Sequence, residues 1–528
     1  MSDQSNDGDS TGADADRSII ESSPVQDTRS LYRHPLAAVG GALIGAGVFA
    51  FVILLVVDLT SGKENPYRSL VTFIAAPAII TIGGLLFLIA VRIQVSRARR
   101  RGELVRFHLR VEPSDPRYMR SLWLFLGLLA IFFLLVGYSS FKAYEATDSV
   151  AFCGESCHTV MEPQAVTYDN SPHARVSCAD CHIGPGASFW VKAKFDGLRQ
   201  VWRTLTDSYE RPVATPIQNL RPAQETCEQC HWPDQFYGQK LVNINYFQTD
   251  EANTPWTVSL LVNVGGGNPR TGELEGIHWH MIGGNTIDYV ATDDKHQDIV
   301  MVRLTEASGE VTDYLAPDLD PAVAIDPEDA GLELRRFDCM DCHNRPSHHF
   351  LPPATAINLE MSKGNISQTL PFVRKIGLEL LNARYASRDQ ANAAIREGMR
   401  LYYQTNYAND YAAWEPQIEQ ATVTLLGIFN ENFFPEMDTD YRVRTDNLSH
   451  FVNDGCFRCH FSELESAQGA KISSSCDSCH SIVAQGPSTD VNDLDSDIAG
   501  LKFRHPVEIG GVWERIKCTQ CHTPGQGY

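Results

Sequence analysis

The chain has 528 residues, enough for several domains, and its 65 acidic against 44 basic residues give a formal charge of −21. That balance excludes a general nucleic-acid binder, which needs a basic surface. Hydrophobic residues make up an ordinary 43% of the chain, but they crowd into three runs before residue 142.

Residues 1–30 are rich in Ser, Asp and Gly and read as a disordered tail. The uncharged runs 36–57, 69–91 and 121–141 follow. Each is long enough to cross a hydrocarbon layer roughly 30 Å thick as a helix. Buried soluble helices would keep a polar face, and these have none. The first run follows a long acidic lead and has no clear cleavage site, which argues against a signal peptide. Nine arginines (Arg92, Arg97, Arg99, Arg100, Arg101, Arg106, Arg110, Arg117 and Arg120) lie between the second and third runs, against Lys63 and Arg68 in the preceding link. The positive-inside rule therefore puts loop 92–120 in the cytoplasm. Three crossings leave the N-terminus cytoplasmic and everything after residue 141 on the outer face.

Beyond the membrane the fourteen cysteines fall into seven pairs, each followed at once by histidine. They are Cys153/Cys157-His158, Cys178/Cys181-His182, Cys227/Cys230-His231, Cys339/Cys342-His343, Cys456/Cys459-His460, Cys476/Cys479-His480 and Cys518/Cys521-His522. C-x-x-C-H is the attachment signature of haem c. Two thiols bond the two vinyl groups of one haem, so they must sit a short fixed distance apart, and the adjacent histidine reaches the iron. Zinc knuckles or disulfides would not need a histidine after every second cysteine. The first copy has three residues between its cysteines and reads as a seventh site with a longer loop. Seven covalently bound haems on residues 142–528 leave roughly 55 residues each, too few for a separate core around every one. The haems must then supply much of the apolar interior and lie close together.

The expected fold class is a membrane-anchored multihaem cytochrome c. Three transmembrane α-helices (36–141) precede a loop-rich, haem-packed periplasmic region with a small β-rich insert and a helical insert. Its divisions are a three-haem domain at 142–235, the β-rich insert at 236–338, the fourth haem site at 339–350, the helical insert at 351–445 and a C-terminal three-haem domain at 446–528. LVNINYF, WTVSLLVNV, GIHWHMI and IVMVRL read as strands, and LPFVRKIGLELLNARYA and NAAIREGMRLYYQ as helices.

A six-coordinate iron needs a second ligand. Of the histidines outside the motifs, His34 and His108 fall on the cytoplasmic side. His173, His348, His450 and His505 lie near motifs and are the first candidates, with His348 preferred to His349. His278 and His280, two apart on an expected strand, would share a face, so that one or both ligate. His296, in a charged stretch, is the weakest candidate. Met161 follows the odd motif closely, and methionine raises a haem potential relative to histidine.

The stretch CHTVMEPQAVTYDNSPHARVSCADCHIGPGASFWVKAKFDGLRQVW, within residues 150–235, resembles the NapC/NirT family of membrane-anchored quinol dehydrogenases. It has a haem motif just after a membrane helix, a close methionine, an SPHA histidine, a second motif, and then lysines. The resemblance implies that Met161 ligates the haem nearest the membrane, that His173 serves another haem, and that Lys194, with Lys192 competing, adjoins the quinol pocket. The sequence departs from the family pattern in its longer first motif, in a methionine three rather than two residues past the motif histidine, and in having seven motifs. Three membrane runs and seven motifs resemble the ImcH-type inner-membrane cytochromes, which pass menaquinol electrons to periplasmic carriers in extracellular respiration.

The resemblance implies menaquinol as substrate, the menaquinol pool and periplasmic c-type cytochromes as partners, and a bacterial inner-membrane location. Homo-oligomers are compatible with it. Lys194, Asp196 and Glu162 are candidate bases for quinol deprotonation. Two other readings stay open: a terminal reductase of a small oxyanion, and an electron-transfer anchor without its own quinol site.

Overall fold

The computed structural model describes residues 34–60, 71–101, 116–155, 158–183, 187–217, 222–232, 236, 238–267, 274–282, 284–320, 323, 327 and 331–522. The tail 1–30, His108 and Cys157 lie outside them. The chain divides into two compact units, Met1–Ser156 and Cys157–Tyr528.

The first unit is helical. Helix α1 spans Pro35–Thr60, α2 Ala76–Arg100 after a wide turn at Val71–Ala75, and α3 Pro116–Asp148. Among the described residues two helices, Pro35–Val57 and Ala76–Arg100, are long and apolar enough to cross a membrane, against the three expected. The third apolar run forms the middle of α3, where several side chains lie outside the described residues. The arginine-rich stretch also differs from expectation. It is not a loop from residue 92, because α2 continues to Arg100. Arg97, Arg99 and Arg100 occupy its last turn, where cations complement the helix dipole. Helices α1 and α2 touch through glycine, as lipid-embedded helices do. A Cβ on Gly40 would lie 2.6 Å from the Gly83 carbonyl oxygen, so only glycine permits that approach.

The second unit opens with α4 (His158–Asp169) and α5 (Ala187–Leu205). Its principal strands are β1 (Gln239–Phe247), β2 (Pro255–Asn263), β3 (Thr286–Ala291), β4 (Ile299–Thr305), β5 (Val311–Leu315), β6 (Arg335–Arg336), β7 (Glu465–Ser466), β8 (His480–Pro487) and β9 (Asp495–Leu501). They form two antiparallel sheets in the orders β1-β2-β8-β9 and β6-β3-β4-β5-β7. Both sheets therefore join residues 239–336 to strands beyond residue 460. The C-terminal segment is woven into the β-rich region, so the two do not form separate layers.

GIHWHMI is the one expected strand that fails. Ile277–Met281 is a 3₁₀ turn. Gly276 precedes it at φ +81°, where a Cβ would meet the Asn263 carbonyl oxygen at 2.5 Å. That left-handed residue breaks the extended run despite its alternating pattern. In a 3₁₀ turn residues two apart point in different directions, so His278 and His280 do not share a face.

Helices α6 (Pro353–Ser362), α7 (Val373–Asn382), α8 (Arg388–Asn406) and α9 (Tyr411–Asn432) form the helical region. Ile357, Leu381, Ile395, Met399, Leu425 and Phe429 pack in its interior, with Val160 and Val166 of α4 against them. This core contains no cysteine motif. The apolar side chains of the helices build it, as a helical insert requires.

Candidate haem centres

Five of the six regular motifs close as a single helical turn, whereas in the Cys476 motif the 3₁₀ turn ends at Ser478 and His480 opens β8. His231, His343 and His522 donate their backbone N–H groups to the carbonyl of the first cysteine of their own motif at 2.8 Å, and His460 does so at 3.0 Å. One turn puts residues i, i+3 and i+4 on one side, which gathers both sulfurs and the imidazole. Capping boxes fix two of these turns: Ser177 with Asp180 before Cys181, and Asp338 with Asp341 around Cys339. The first motif is built differently. Cys153 lies in a short helix, Val150–Gly154, and His158 begins α4. Met161 and Glu162 follow His158 at i+3 and i+4 on α4.

The described cysteines are all free thiols, so none is spent on a disulfide. Cys181, Cys230, Cys476 and Cys521 are exposed, while Cys227 and Cys518 are half-buried. Cys230 and Cys521 stand just past the 3₁₀ turns Cys227–Gln229 and Cys518–Gln520, and each donates its N–H to the first cysteine's carbonyl at 3.1 Å. The motifs of Cys339/Cys342 and Cys456/Cys459 differ, since all four of these cysteines are half-buried.

The motif histidines meet imidazoles from distant segments. Ring centroids are 6.1 Å apart for His173 and His231, 6.3 Å for His182 and His348, and 5.7 Å for His280 and His460. They are 6.2 Å apart for both His450 with His480 and His505 with His522. Two imidazoles on opposite faces of one metal ion, each nitrogen about 2 Å from it and each ring centre about 1 Å behind its nitrogen, span roughly 6 Å. The spacing therefore fits an iron between each pair.

Hydrogen bonding fixes which nitrogen is available. The Nδ1 atoms of His173, His278, His280, His348 and His460 face the carbonyl oxygens of Pro346, Val264, Ile277, Gln164 and Ser473 at 2.7–3.1 Å. A carbonyl only accepts, so Nδ1 carries the proton and donates, which leaves the Nε2 lone pair free to bind metal. Burial favours the neutral ring at His278, His280 and His348. It pushes His348 down to about 4, with His182 adding to the effect, and it lowers His182, His280, His450 and His480.

Buried cations supply a second fit. Arg345 and Arg444 stand near each other and near His348. Burial pushes Arg345 down to about 10, with Arg444 adding to the effect, and burial also lowers Arg444. Arg444 gives its Nη1 and Nη2 protons to the Thr215 and Thr439 hydroxyls, while its Nε is buried with no hydrogen-bond partner among the described residues. Asp446, the nearby carboxylate, is bonded by His349 Nε2 at 2.7 Å. Buried like charges need anions, and the two carboxylates of a haem would provide them. A cavity of about 320 Å³, lined in part by His173, His343, Arg345, His349 and Asp446, opens beside the fourth motif.

The motifs adjoin one another. The Cys227 and Cys339 sulfurs are neighbours. Burial pushes Cys342 up to about 12, and the nearby Cys456 adds to the effect. Buried Arg458 ties two motifs together: its guanidinium donates to the carbonyls of Gly455, His296 and Asp341 at 2.9, 2.7 and 2.5 Å.

The remaining candidates fall as follows. His278 packs on Phe236 at 4.5 Å and stands near His343. His296 neighbours Tyr289 at 6.0 Å. Glu162 is ion-paired to Arg388 Nη1 at 2.6 Å. The Arg388 Nε and Nη2 atoms are buried with no hydrogen-bond partner among the described residues. On α5, Lys194 is half-buried, Lys192 is exposed, and exposed Asp196 stands 3.9 Å from Arg199. Sequence reading missed Arg345, Arg388, Arg444 and Arg458. Their only sequence signal is that each is a basic residue within or beside an apolar or motif segment.

The family model described as the NapC/NirT cytochrome c family, N-terminal region, matches residues 116–240. The cytochrome c-type protein ImcH of Geobacter sulfurreducens is 36% identical over 490 residues, spanning 93% of this chain and 95% of the relative. The chain belongs to the NapC/NirT cytochrome c family. It is accordingly a membrane-anchored electron-transfer protein with covalently bound haem c. The cytochrome c-type protein TorY of Haemophilus influenzae is 30% identical over 101 residues, 16% of this chain and 27% of TorY. No solved structure matches.

Proposed function

We propose that this NapC/NirT cytochrome is a seven-haem quinol dehydrogenase of the bacterial inner membrane. It oxidises menaquinol at the periplasmic face, with three crossings and a cytoplasmic N-terminus. Periplasmic c-type cytochromes take the electrons in anaerobic or extracellular respiration. The interlocked imidazole pairs carry this reading. His182/His348, His173/His231, His280/His460, His450/His480 and His505/His522 would each hold one haem iron between them. His278 serves His343, and Met161 pairs with His158.

When bound, each haem supplies a one-electron carrier, whereas menaquinol releases two electrons and two protons to become menaquinone, so several carriers must lie within reach. The contacts between motifs meet that need: Cys227 with Cys339, Cys342 beside Cys456, and Arg458 tying their turns. Glu162, Lys194 and Asp196 take the two protons and release them outside. Arg388 holds the Glu162 carboxylate in place. The residues 116–240 that match the family model contain the end of the anchor, Met161, His173 and Lys194, which favours a quinol site on this chain over a passive anchor. A reductase would need an iron with an open position, and five motif histidines already face a second imidazole.

Anaerobic addition of menadiol to membranes holding the protein should reduce its haems, seen as growth of the ferrous α-band, and Lys194→Ala should slow that reduction at least tenfold. Haems that stay oxidised under menadiol, while dithionite reduces them, contradict the reading.

A further inference from the structure

Helix α5 carries apolar residues that the fold does not use. Ala193, Gly197 and Thr204 mark its inward side; each is half-buried, and they recur at helical spacing. Phe195, Leu198, Trp202 and Leu205 form a separate row, roughly 140° round the helix from that side at about 100° per residue. They are 70%, 64%, 68% and 78% exposed. Scattered exposed leucines need no explanation, but a contiguous row of large apolar side chains marks an interaction surface. Lys192, Arg199 and Arg203 lie exposed on the other flank of the row, and with exposed Asp196 3.9 Å from Arg199 that flank keeps a net positive charge. Trp202 adds an amphipathic ring of the kind enriched where hydrocarbon meets water.

We propose that α5 lies in the outer interface of the bilayer that anchors this chain. Phe195, Leu198, Trp202 and Leu205 sit at the acyl boundary, and Lys192, Arg199 and Arg203 meet anionic headgroups. Three observations select a lipid surface as the occupant. The chain belongs to a membrane-anchored family and has two helices apolar enough to span. Helix α5 begins fewer than forty residues after α3 ends, so it follows the membrane anchor closely in the chain. The chain as a whole carries −21, which anionic lipid would repel, and the positive flank supplies local attraction where the apolar row is exposed. Lys194 sits between the inward side and the apolar row, so a lipid-dissolved quinol would meet it without entering water. That consequence rests on the quinol reading; the docking does not.

The test uses the full-length holoprotein in nanodiscs. With the native cysteines held as thioethers, Leu198→Cys and Gln200→Cys each introduce one labelling thiol on opposite sides of α5. A nitroxide at Leu198→Cys should be relaxed by oxygen and shielded from a water-soluble nickel chelate. The label at Gln200→Cys should show the reverse, with the ratio of the two accessibilities differing at least tenfold between sites. The contrast should shrink when zwitterionic lipid replaces anionic lipid. Equal nickel access at both sites overturns the proposal. So does shielding at Leu198→Cys accompanied by dipolar broadening between labels, which would mean that a second copy covers the row. Neither readout needs quinol, so a protein that menadiol cannot reduce loses the proposed activity without deciding this question.

Discussion

A carbonyl oxygen beside an imidazole nitrogen decides which of the two ring nitrogens can bind a metal. That logic acts at His173, His278, His280, His348 and His460. It separates His348, whose free nitrogen serves the pair with His182, from His349, whose Nε2 is bonded to Asp446. Replacing His348 with methionine keeps a ligand but changes its character. Methionine raises haem potential relative to histidine. His348→Met should therefore shift one haem's reduced-to-oxidised ratio at least tenfold toward reduced at fixed potential, about 59 mV for a one-electron couple. Potentiometric titration of the full chain reads this, and an unshifted titration curve removes His348 from the coordination sphere. The motif histidines were legible because their spacing is local. Their partners were not, since His173 faces His231 and His348 faces His182 across long stretches of chain. No short-range pattern encodes such a pairing. The buried arginines were equally hidden, because a lone Arg345 or Arg444 in sequence looks like surface charge.

Between elements, polar staples join the motif turns. Asp454, two residues before Cys456, accepts from Lys517 Nζ at 2.6 Å and from Thr519 Oγ1 at 2.5 Å, beside and within the last motif. Burial alone would raise this carboxyl, but the bonds to Lys517 and Thr519 outweigh it and hold the pKa below the ordinary 3.8. A carboxylate held low in the folded state stabilises the fold above its unfolded pKa, and the gain is lost as pH falls through the folded value. Asp454→Asn should thus lower stability at pH 7 by about 1–2 kcal/mol, a charge-assisted bond discounted for partial exposure. The difference from wild type should fade as pH drops below 3.8. Thermal unfolding monitored across pH checks it, and a gap that persists unchanged in acid contradicts it. Element types were readable wherever periodicity was strong: β1, β2, β4, α7 and α8 fall where alternation or helical spacing put them. GIHWHMI misled because its alternation is real but Gly276 turns the backbone, and no periodicity rule weighs a single left-handed residue against a run.

Across the whole molecule, the anchor and the haem-bearing unit follow from two unlike signals. Apolar length marks the membrane helices, and cysteine arithmetic marks the haem sites. What neither signal reveals is that strands β8 and β9 close a sheet begun by β1 and β2, or that α6 to α9 build a core of their own. Long-range sheet order depends on which loops can close, and a sequence shows only the strands. The account as a whole rests on iron held by this polypeptide at seven motifs, including the one that Glu155 and its neighbours stretch between Cys153 and His158. The mass of the intact chain after full denaturation and removal of all noncovalent pigment tests this most directly. The account predicts the polypeptide mass plus seven haem groups, and six for a Cys153→Ala, Cys157→Ala double variant. A denatured chain at the bare polypeptide mass, or with fewer than seven groups in the wild type, contradicts it.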